Sequence, residues 1–245
     1  MAQYDRQTVA GRVGSAAAID EGLRAHMLRV YNYMGIGLAV TGLIAYLSNM
    51  FAVDSAGQLT SWGVLLYTTP LMWVVALSPL AFVLVLSFGI NKLSFGAAQA
   101  TFWGFAAVMG LSLSSIFLVY TDASIAKVFF ITAATFGAMS LWGYTTKRDL
   151  TAMGGFLFMG LIGLIIAMVV NIFLASSALE FAISAVGVLI FVGLTAYDTQ
   201  KIKEAYVENI GAEGLGKLAI MGALNLYLDF INLFLMLLRL FGNRE

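Results

Sequence analysis

Seven apolar stretches, separated by short polar segments, run through most of this chain. They cover about residues 27–47, 67–90, 95–119, 124–143, 153–175, 178–198 and 217–240. Each stretch approaches or exceeds the roughly 20 residues that a helix needs to cross the hydrocarbon core of a bilayer. The pattern therefore predicts an all-α, polytopic membrane protein with seven transmembrane helices. In the second stretch, Pro79 is expected to kink the interior of the helix.

The seventh stretch carries a polar stripe. Asn225, Asp229 and Asn232 are spaced i, i+4 and i+7, which places them on one side of a helix. An ionisable group at membrane depth costs about 2.5–3.5 kcal/mol on insertion scales, so Asp229 indicates a functional site. The alternative is that Asp229 only hydrogen-bonds a neighbouring helix. Because polar groups in lipid must face protein or water, the seventh helix is predicted to be central in the bundle.

A second acid, Asp198, lies at the end of the sixth stretch. The glycine-rich segment 211–216 predicts the turn between the last two helices, and Asp198 and Asp229 are almost equally far from its centre at Glu213. Since the rise per residue is constant, two antiparallel helices would bring the carboxylates level, provided that 204–210 is helical. If 204–210 is a loop, Asp198 should instead lie at the membrane surface, about 15–20 Å from Asp229.

The composition fits a membrane domain with little outside it. Hydrophobic residues make up 61% of the 245 residues and charged residues 11%, against about 25% charged in soluble domains. We therefore expect a cytoplasmic tail over 1–25, with a short helix over 15–25, and a single membrane domain over 26–245. The zero net charge gives no indication of nucleic-acid binding. The chain has no cysteine and one histidine, which excludes disulfides, thiolate metal sites and bis-histidine haem, and no cofactor is expected.

The basic residues predict the orientation of the chain. With the N-terminus in the cytoplasm, ten of the thirteen Lys and Arg residues fall on that side, as the positive-inside rule requires. They are Arg6, Arg12, Arg24, Arg29, Lys92, Lys147, Arg148, Lys201, Lys203 and Lys217. Seven full spans put Arg239 and Arg244 outside, whereas a re-entrant last helix, the alternative, would return them to the cytoplasm. His26 and Arg29 are interpreted as interfacial anchors of the first span.

Several segments together resemble the Bax inhibitor (transmembrane Bax inhibitor motif) family, in a bacterial-type form. They are Ala-Tyr-Asp-Thr-Gln-Lys-Ile at 196–202, Leu-Tyr-Leu-Asp-Phe-Ile-Asn-Leu-Phe at 226–234, Thr-Lys-Arg-Asp at 146–149 followed by Gly-Gly-Phe-Leu at 154–157, and His26 with Val30 and Tyr31. The resemblance implies that the last helix lies between two three-helix layers. It also implies that Asp198 and Asp229 form a carboxylate pair that senses pH and governs a calcium leak.

Some members of that family carry a basic partner for the pair in an early span. The second stretch here contains no Lys or Arg, which leaves Arg29 and Lys92 as the substitutes that the sequence offers. Bacterial relatives are also linked to the control of a membrane-anchored ATP-dependent protease. The resemblance thus places the chain in a bacterial inner membrane, with the lipid bilayer, calcium or protons, and such a protease as partners.

Two hypotheses about function follow. In the first, the protein is a pH-gated cation leak, in which Asp198 and Asp229 share a proton and bind calcium weakly and transiently, supported by Asn225 and Asn232. In the second, it is a regulator that binds another membrane protein. An enzyme is not predicted, because the sequence has no nucleophile–base pair, zinc motif or phosphate loop, and no Gly-x-Gly-Asp sequence around either aspartate.

Overall fold

The computed structural model describes residues 2–206 and 210–244, with side chains from residue 21 onward. Within these residues the chain forms eight α-helices and one short 3₁₀ helix, Ser114–Leu118. The α-helices are α1 (Ala2–Ala52), α2 (Ser61–Thr68), α3 (Leu71–Gly89), α4 (Phe95–Leu113), α5 (Asp122–Thr145), α6 (Thr151–Leu174), α7 (Ser177–Glu204) and α8 (Gly211–Phe241). In this described part, α1 and α3–α8 are the seven helices long and apolar enough to cross a membrane. The prediction of an all-α protein with seven spans is confirmed.

The last helix lies between two layers of three helices. The first layer consists of α1, α3 and α4, the second of α5, α6 and α7, and α8 packs against members of both. In the most apolar part of α8, 72% of the residues are buried, against 6% in α6 at the outer edge of its layer. Small buried residues such as Ala219, Gly222 and Ala223 let the neighbouring helices approach closely. The predicted central position of the last helix is confirmed.

The ends of α8 show that this helix crosses the whole bundle. Near its start, the ring of Phe95, at the beginning of α4, packs against Gly216. Past its other end, the carbonyl oxygen of Asn243 accepts a hydrogen bond from the backbone N–H of Thr121 at 3.1 Å, and Arg244 pairs with Glu180 at 3.2 Å. Since α4 and α5 begin at opposite ends of the bundle, α8 joins those ends. The re-entrant alternative is wrong.

Helix α3 continues through Pro79, with its residues helical from Leu71 to Gly89. Proline has no backbone N–H, so the carbonyl oxygen of Val75, one turn earlier, loses its helical donor. The hydroxyl of Ser78 donates to that same oxygen at 2.9 Å. In a membrane, where an unsatisfied carbonyl is costly, this side chain replaces the missing backbone hydrogen bond.

The connection between α7 and α8 differs from the predicted turn at 211–216. Helix α7 ends at Glu204, and α8 already begins at Gly211, whose φ is +74°; residues 207–209 between them lie outside the description. Side-chain packing shows which residues of α7 and α8 lie at the same depth, because Ile202 packs on Gly222 and Met236 packs on Gly187. About two turns of α8 therefore extend past the end of α7, and the two arms of the hairpin are unequal.

The start of the first span also differs from expectation. The short helix expected over 15–25 is part of α1, which is helical from Ala2 and runs without a break into the membrane segment. His26 is 5% exposed and its ring centroid lies 5.5 Å from that of Tyr206. The interpretation of His26 as an interfacial anchor is therefore wrong, because His26 is buried and Tyr206 packs against its ring. Arg29 is exposed, as expected of an anchor.

A buried hydrogen-bond chain fastens α8 to the first layer. The hydroxyl of Thr41 in α1 donates to the carbonyl oxygen of Ala106 in α4 at 2.8 Å. Because the single hydroxyl proton of Thr41 is used there, the 2.6 Å contact between Thr41 and Tyr227 must have the Tyr227 hydroxyl as its donor. Tyr227 is fully buried, with the rings of Phe102 and Phe105 edge-on against its own. The chain joins α8, α1 and α4 at one depth.

This direction of donation predicts unequal effects of two substitutions. Thr41→Val should destabilise the protein by about 1–3 kcal/mol, because it leaves the buried Tyr227 hydroxyl without an acceptor. Tyr227→Phe should cost less, about 0.5–1.5 kcal/mol, since Thr41 keeps its bond to Ala106. Thermal unfolding of the detergent-solubilised variants measures both effects. A Tyr227→Phe variant that is the less stable of the two would contradict the assigned direction.

Candidate functional site

The carboxyl groups of Asp198 and Asp229 face each other across the interface of α7 and α8, within hydrogen-bonding range. Asp229 is 5% exposed, and among the described residues its Oδ2 atom has no hydrogen-bond donor. Asp198 is half-buried. Two ionised carboxylates offer only acceptors, so a hydrogen bond between them requires one shared proton. The structure thus brings together the two acids that the sequence singled out.

The acids meet although the hairpin arms are unequal. Asp198 lies four residues before Ile202, whereas Asp229 lies seven residues beyond Gly222, the residue on which Ile202 packs. Their backbones are thus offset in depth by about three residues, or about 4.5 Å. In a helix each side chain tilts towards its own N-terminus. Because α7 and α8 are antiparallel, the two side chains tilt towards each other and close the offset.

The two asparagines of the predicted polar stripe lie on the less buried side of α8, beside the carboxyl pair. Asn225 and Asn232 are half-buried and share the less buried side of α8 with Met221, Leu228 and Leu235. The amide of Asn232 donates to the carbonyl oxygen of Leu228 in its own helix at 2.8 Å. In the described residues neither asparagine hydrogen-bonds an aspartate of the pair. Their supporting role stays a prediction, and here they lie beside the pair.

The basic residue closest along the chain to the pair is Lys201, which is not among the residues predicted for the site. It lies one turn beyond Asp198 on α7, and its charge acts on that carboxyl. Its ammonium group is exposed and sits over the ring of Tyr197, 5.8 Å from the centroid. The spacing i, i+3 was the signal that could have identified it. Arg29 and Lys92, the substitutes named from the sequence, lie on α1 and in the α3–α4 turn.

The end of α7 that carries Asp198 is fastened to the α5–α6 loop. The buried Gln200 accepts a hydrogen bond from the backbone N–H of Leu150 at 2.8 Å and donates to the carbonyl oxygen of Arg148 at 2.8 Å. In the same loop, hydrogen bonds from the Thr151 hydroxyl and backbone N–H hold the pKa of Asp149 below its usual value. Asp149 is therefore an ionised cap at the start of α6. The α5–α6 loop, which contains the motif at 146–149, thus holds the end of α7 in place through Gln200.

A second chain of hydroxyls reaches α7 from the side. Thr199 donates to the carbonyl oxygen of Thr195 at 2.7 Å, so it must accept from Ser140, whose oxygen is 2.9 Å away. Ser140 in turn accepts from the hydroxyl of Tyr31 at 2.6 Å. This chain joins α1, α5 and α7 at the residue next to Asp198, and two of its members, Tyr31 and Ser140, also line a cavity of about 600 Å³.

Deeper in the bundle, aromatic rings close the space beyond the pair. Phe230, next to Asp229, packs edge-on against Phe129 and Phe136 of α5, each with its ring centroid 5.5 Å away. Phe234, one turn further along α8, packs against Phe129 at 6.4 Å. The carboxyl pair therefore lies between an apolar plug on one side and the half-exposed end of α7 on the other.

The pair by itself offers few ligands to a metal ion. Two carboxyl groups carry four oxygens, whereas calcium takes six to eight. Within residues 21–206 and 210–244, no group of three or more His, Cys, Asp or Glu side chains is arranged to hold a metal. Any calcium ion held here would need water molecules or backbone carbonyl groups to complete its shell.

These features define a class of protein: a multi-pass, all-helical membrane protein whose last helix is central and carries one of two facing carboxyl groups. The chain belongs to the Bax inhibitor family, since the family model described as "Inhibitor of apoptosis-promoting Bax1" matches residues 23–245. It is 50% identical to the inner membrane protein YbhL of Escherichia coli (strain K12) over 227 residues, which cover 91% of this chain and 94% of that protein.

Other relatives match over similar lengths. An uncharacterized protein of Rickettsia prowazekii, RP147, is 48% identical over 226 residues, covering 92% of each chain. An uncharacterized protein of Caulobacter vibrioides is 47% identical over 245 residues, covering 99% of this chain and 97% of that one. The family and the multi-pass membrane location that the sequence predicted are confirmed.

The close packing of α5 on α7 near Asp198 yields a prediction with a matched control. A Cβ atom at Gly143 would overlap the carbonyl oxygen of Ala196 and lie 2.8 Å from its Cα, so it would meet backbone that cannot rotate away. Gly143→Ala should therefore force α5 from α7 and cost about 1–3 kcal/mol of stability. Gly137→Ala, on the same helix, meets no atom within 4 Å and should be neutral or slightly stabilising. Equal melting temperatures of the two purified variants would contradict this packing.

Proposed function

We propose that this protein is a pH-gated cation leak of the bacterial inner membrane, with calcium as the cation and the Asp198–Asp229 pair as its gate. The observation that carries the proposal is the facing of two carboxyl groups in a buried interface between apolar helices. In a low-dielectric site, two carboxylates cannot both ionise cheaply, so they titrate as a unit. The proposal assigns no catalytic role to either aspartate.

The state of the shared proton determines whether α7 and α8 stay together. With one proton, the pair forms a hydrogen bond that holds the helices in contact. When that proton leaves, two negative charges face each other with little solvent to screen them, and repulsion separates the helices. Flux should therefore be low in acid and rise as the pH increases.

The contacts that α7 and α8 make with other helices indicate which of the two moves when the pair ionises. Helix α8 is tied to the first layer through Tyr227, Thr41 and Ala106. Helix α7 packs on α8 and also on α5 and α6, its partners in the second layer. Repulsion at the pair would thus move α7 with its layer, away from α8, and would loosen the rings of Phe129 and Phe136 that pack on Phe230.

The small number of oxygen ligands at the carboxyl pair suits the passage of a cation better than its tight binding. A cation that enters the opened interface would meet carboxylate oxygens of Asp198 and Asp229 and would keep part of its water shell. Such a site is weak, and weak binding is what lets an ion leave again. The basic residues favour a cytoplasmic N-terminus, which would place Lys201 and the half-exposed end of α7 on the cytoplasmic side. The alternative, a regulator that binds a membrane-anchored protease, stays a prediction.

A double-mutant cycle on the pH dependence of flux tests the shared proton. Asp229→Asn should abolish the pH dependence of calcium flux into dye-loaded liposomes, because an amide can hydrogen-bond but cannot ionise. Asp198→Asn should do the same in part or in full. If the two acids titrate as a unit, the double variant loses no more pH response than the stronger single variant.

The control is Asp122→Asn, an exposed carboxyl at the start of α5, which should leave the profile unchanged. Additive effects of the two substitutions would mean that Asp198 and Asp229 act separately. An unchanged profile in Asp229→Asn would remove that residue from the sensor role altogether.

Cysteine labelling tests the orientation without background, because the native chain has no cysteine. A cysteine at position 148, in the α5–α6 loop, should react with an impermeant maleimide only after the inner membrane is opened. A cysteine at the exposed Asp54, in the connection between α1 and α2, should react in intact spheroplasts. The opposite result at both positions would reverse the proposed orientation.

A further inference from the structure

A groove on the first layer lies apart from the carboxyl pair. It is a cavity of about 1150 Å³ lined by α1, α4 and the first turn of α8. On α1 the lining residues include Arg29, Asn32 and Ile36, which recur along one side of the helix. On α4 they include Gln99 and Trp103, one turn apart. Two helix faces thus enclose the groove, with polar groups near one end and apolar groups further in.

The charge at the polar end is positive. Among the side chains that the structure describes, the ion pairs are Lys217 with Glu213 and Arg244 with Glu180, so Arg29 has no carboxylate partner there. Glu213, the acid that lines the groove, is held by Lys217 at 2.9 Å and by the backbone N–H of Phe95. Its charge is already compensated, and the guanidinium group of Arg29 remains to bind an anion.

The groove opens sideways onto the membrane. Leu28 and Ile36, on the same segment of α1, are 52% and 54% exposed, as expected of side chains that contact lipid. Tyr33 and Trp103 lie between Ile36 and the polar end, with ring centroids 5.8 Å apart, and such aromatic residues are enriched at membrane interfaces. An occupant would have an anionic head near Arg29 and a hydrocarbon tail along Ile36.

We propose that this groove binds an anionic phospholipid, with its phosphate on Arg29. Asn32 and Gln99 each carry an amide NH₂ that can donate to phosphate or ester oxygens. The acyl chain would lie against Tyr33, Trp103 and Ile36. A free phosphate ion has the same head chemistry, but it would leave the apolar half of the groove unfilled. The site is independent of the Asp198–Asp229 gate.

Native mass spectrometry of the full-length, detergent-solubilised protein tests the site by titration with phosphatidylglycerol. Arg29→Gln should raise the apparent Kd about ten-fold, because a charge-assisted contact to phosphate is lost. Lys92→Gln is the matched control: it removes an equal charge from the α3–α4 turn, outside the groove lining, and should leave binding within about two-fold of the wild type. Phosphatidylcholine, which has no net charge, should bind more weakly than phosphatidylglycerol.

A second variant tests the cavity while Arg29 stays in place. Gly96 lines the groove, and a Cβ atom there would meet no other atom within 4 Å. Gly96→Leu should therefore fold normally, fill the groove and also raise the Kd for phosphatidylglycerol. If Arg29→Gln does not fold, this variant decides the question alone.

Several results would overturn the proposal. They are wild-type binding in Arg29→Gln or Gly96→Leu, equal binding of phosphatidylcholine, or an equal loss in Lys92→Gln, which would indicate diffuse attraction to a basic surface. Displacement of the lipid by millimolar inorganic phosphate would show that the site takes a free anion and would contradict the assignment to a lipid.

Discussion

A carboxyl group buried between apolar helices is the constraint on which the rest of this bundle depends. Asp229 lies 18 residues into α8, where neither water nor a headgroup can solvate it, so protein must surround it on every side. Placing α8 between two layers provides that surrounding. It also explains why α8 is the most buried of the described spans, whereas α6, which carries no charged side chain, has few fully buried residues.

Much of this arrangement could be predicted from the sequence because the membrane restricts the choices. Apolar stretches of sufficient length determine the spans, and an isolated acid in the last of them determines that this helix is inside. What the pattern could not determine was the side to which each polar group turns. Asn225, Asp229 and Asn232 share a stripe by spacing, yet the neighbours of α8 bury Asp229 and leave both asparagines half-exposed. His26 was misjudged for the same reason, since Tyr206 covers it.

The pairing of Asp198 with Asp229 was expected from equal hairpin arms, and that premise is wrong. Helix α8 extends past the end of α7, so the depth of a residue cannot be counted from a turn whose position is assumed. The pair forms because antiparallel helices tilt facing side chains towards each other, which tolerates an offset of about three residues. The hydroxyl chains through Thr41 and Ser140 left no sequence signal, since a Ser or Thr in a span usually bonds its own helix.

Tyr227 and Asp229 are two residues apart on α8, which separates them by about 200° around the helix axis. They therefore face opposite layers: Tyr227 is bonded to Thr41 on α1, and Asp229 faces Asp198 on α7. The bond on the Tyr227 side joins two neutral hydroxyl groups, whereas in the proposed mechanism the contact on the other side depends on a proton. A helix held by one permanent and one titratable contact at the same depth can separate along one interface while the other stays closed. The proposed gate between the two layers depends on this asymmetry.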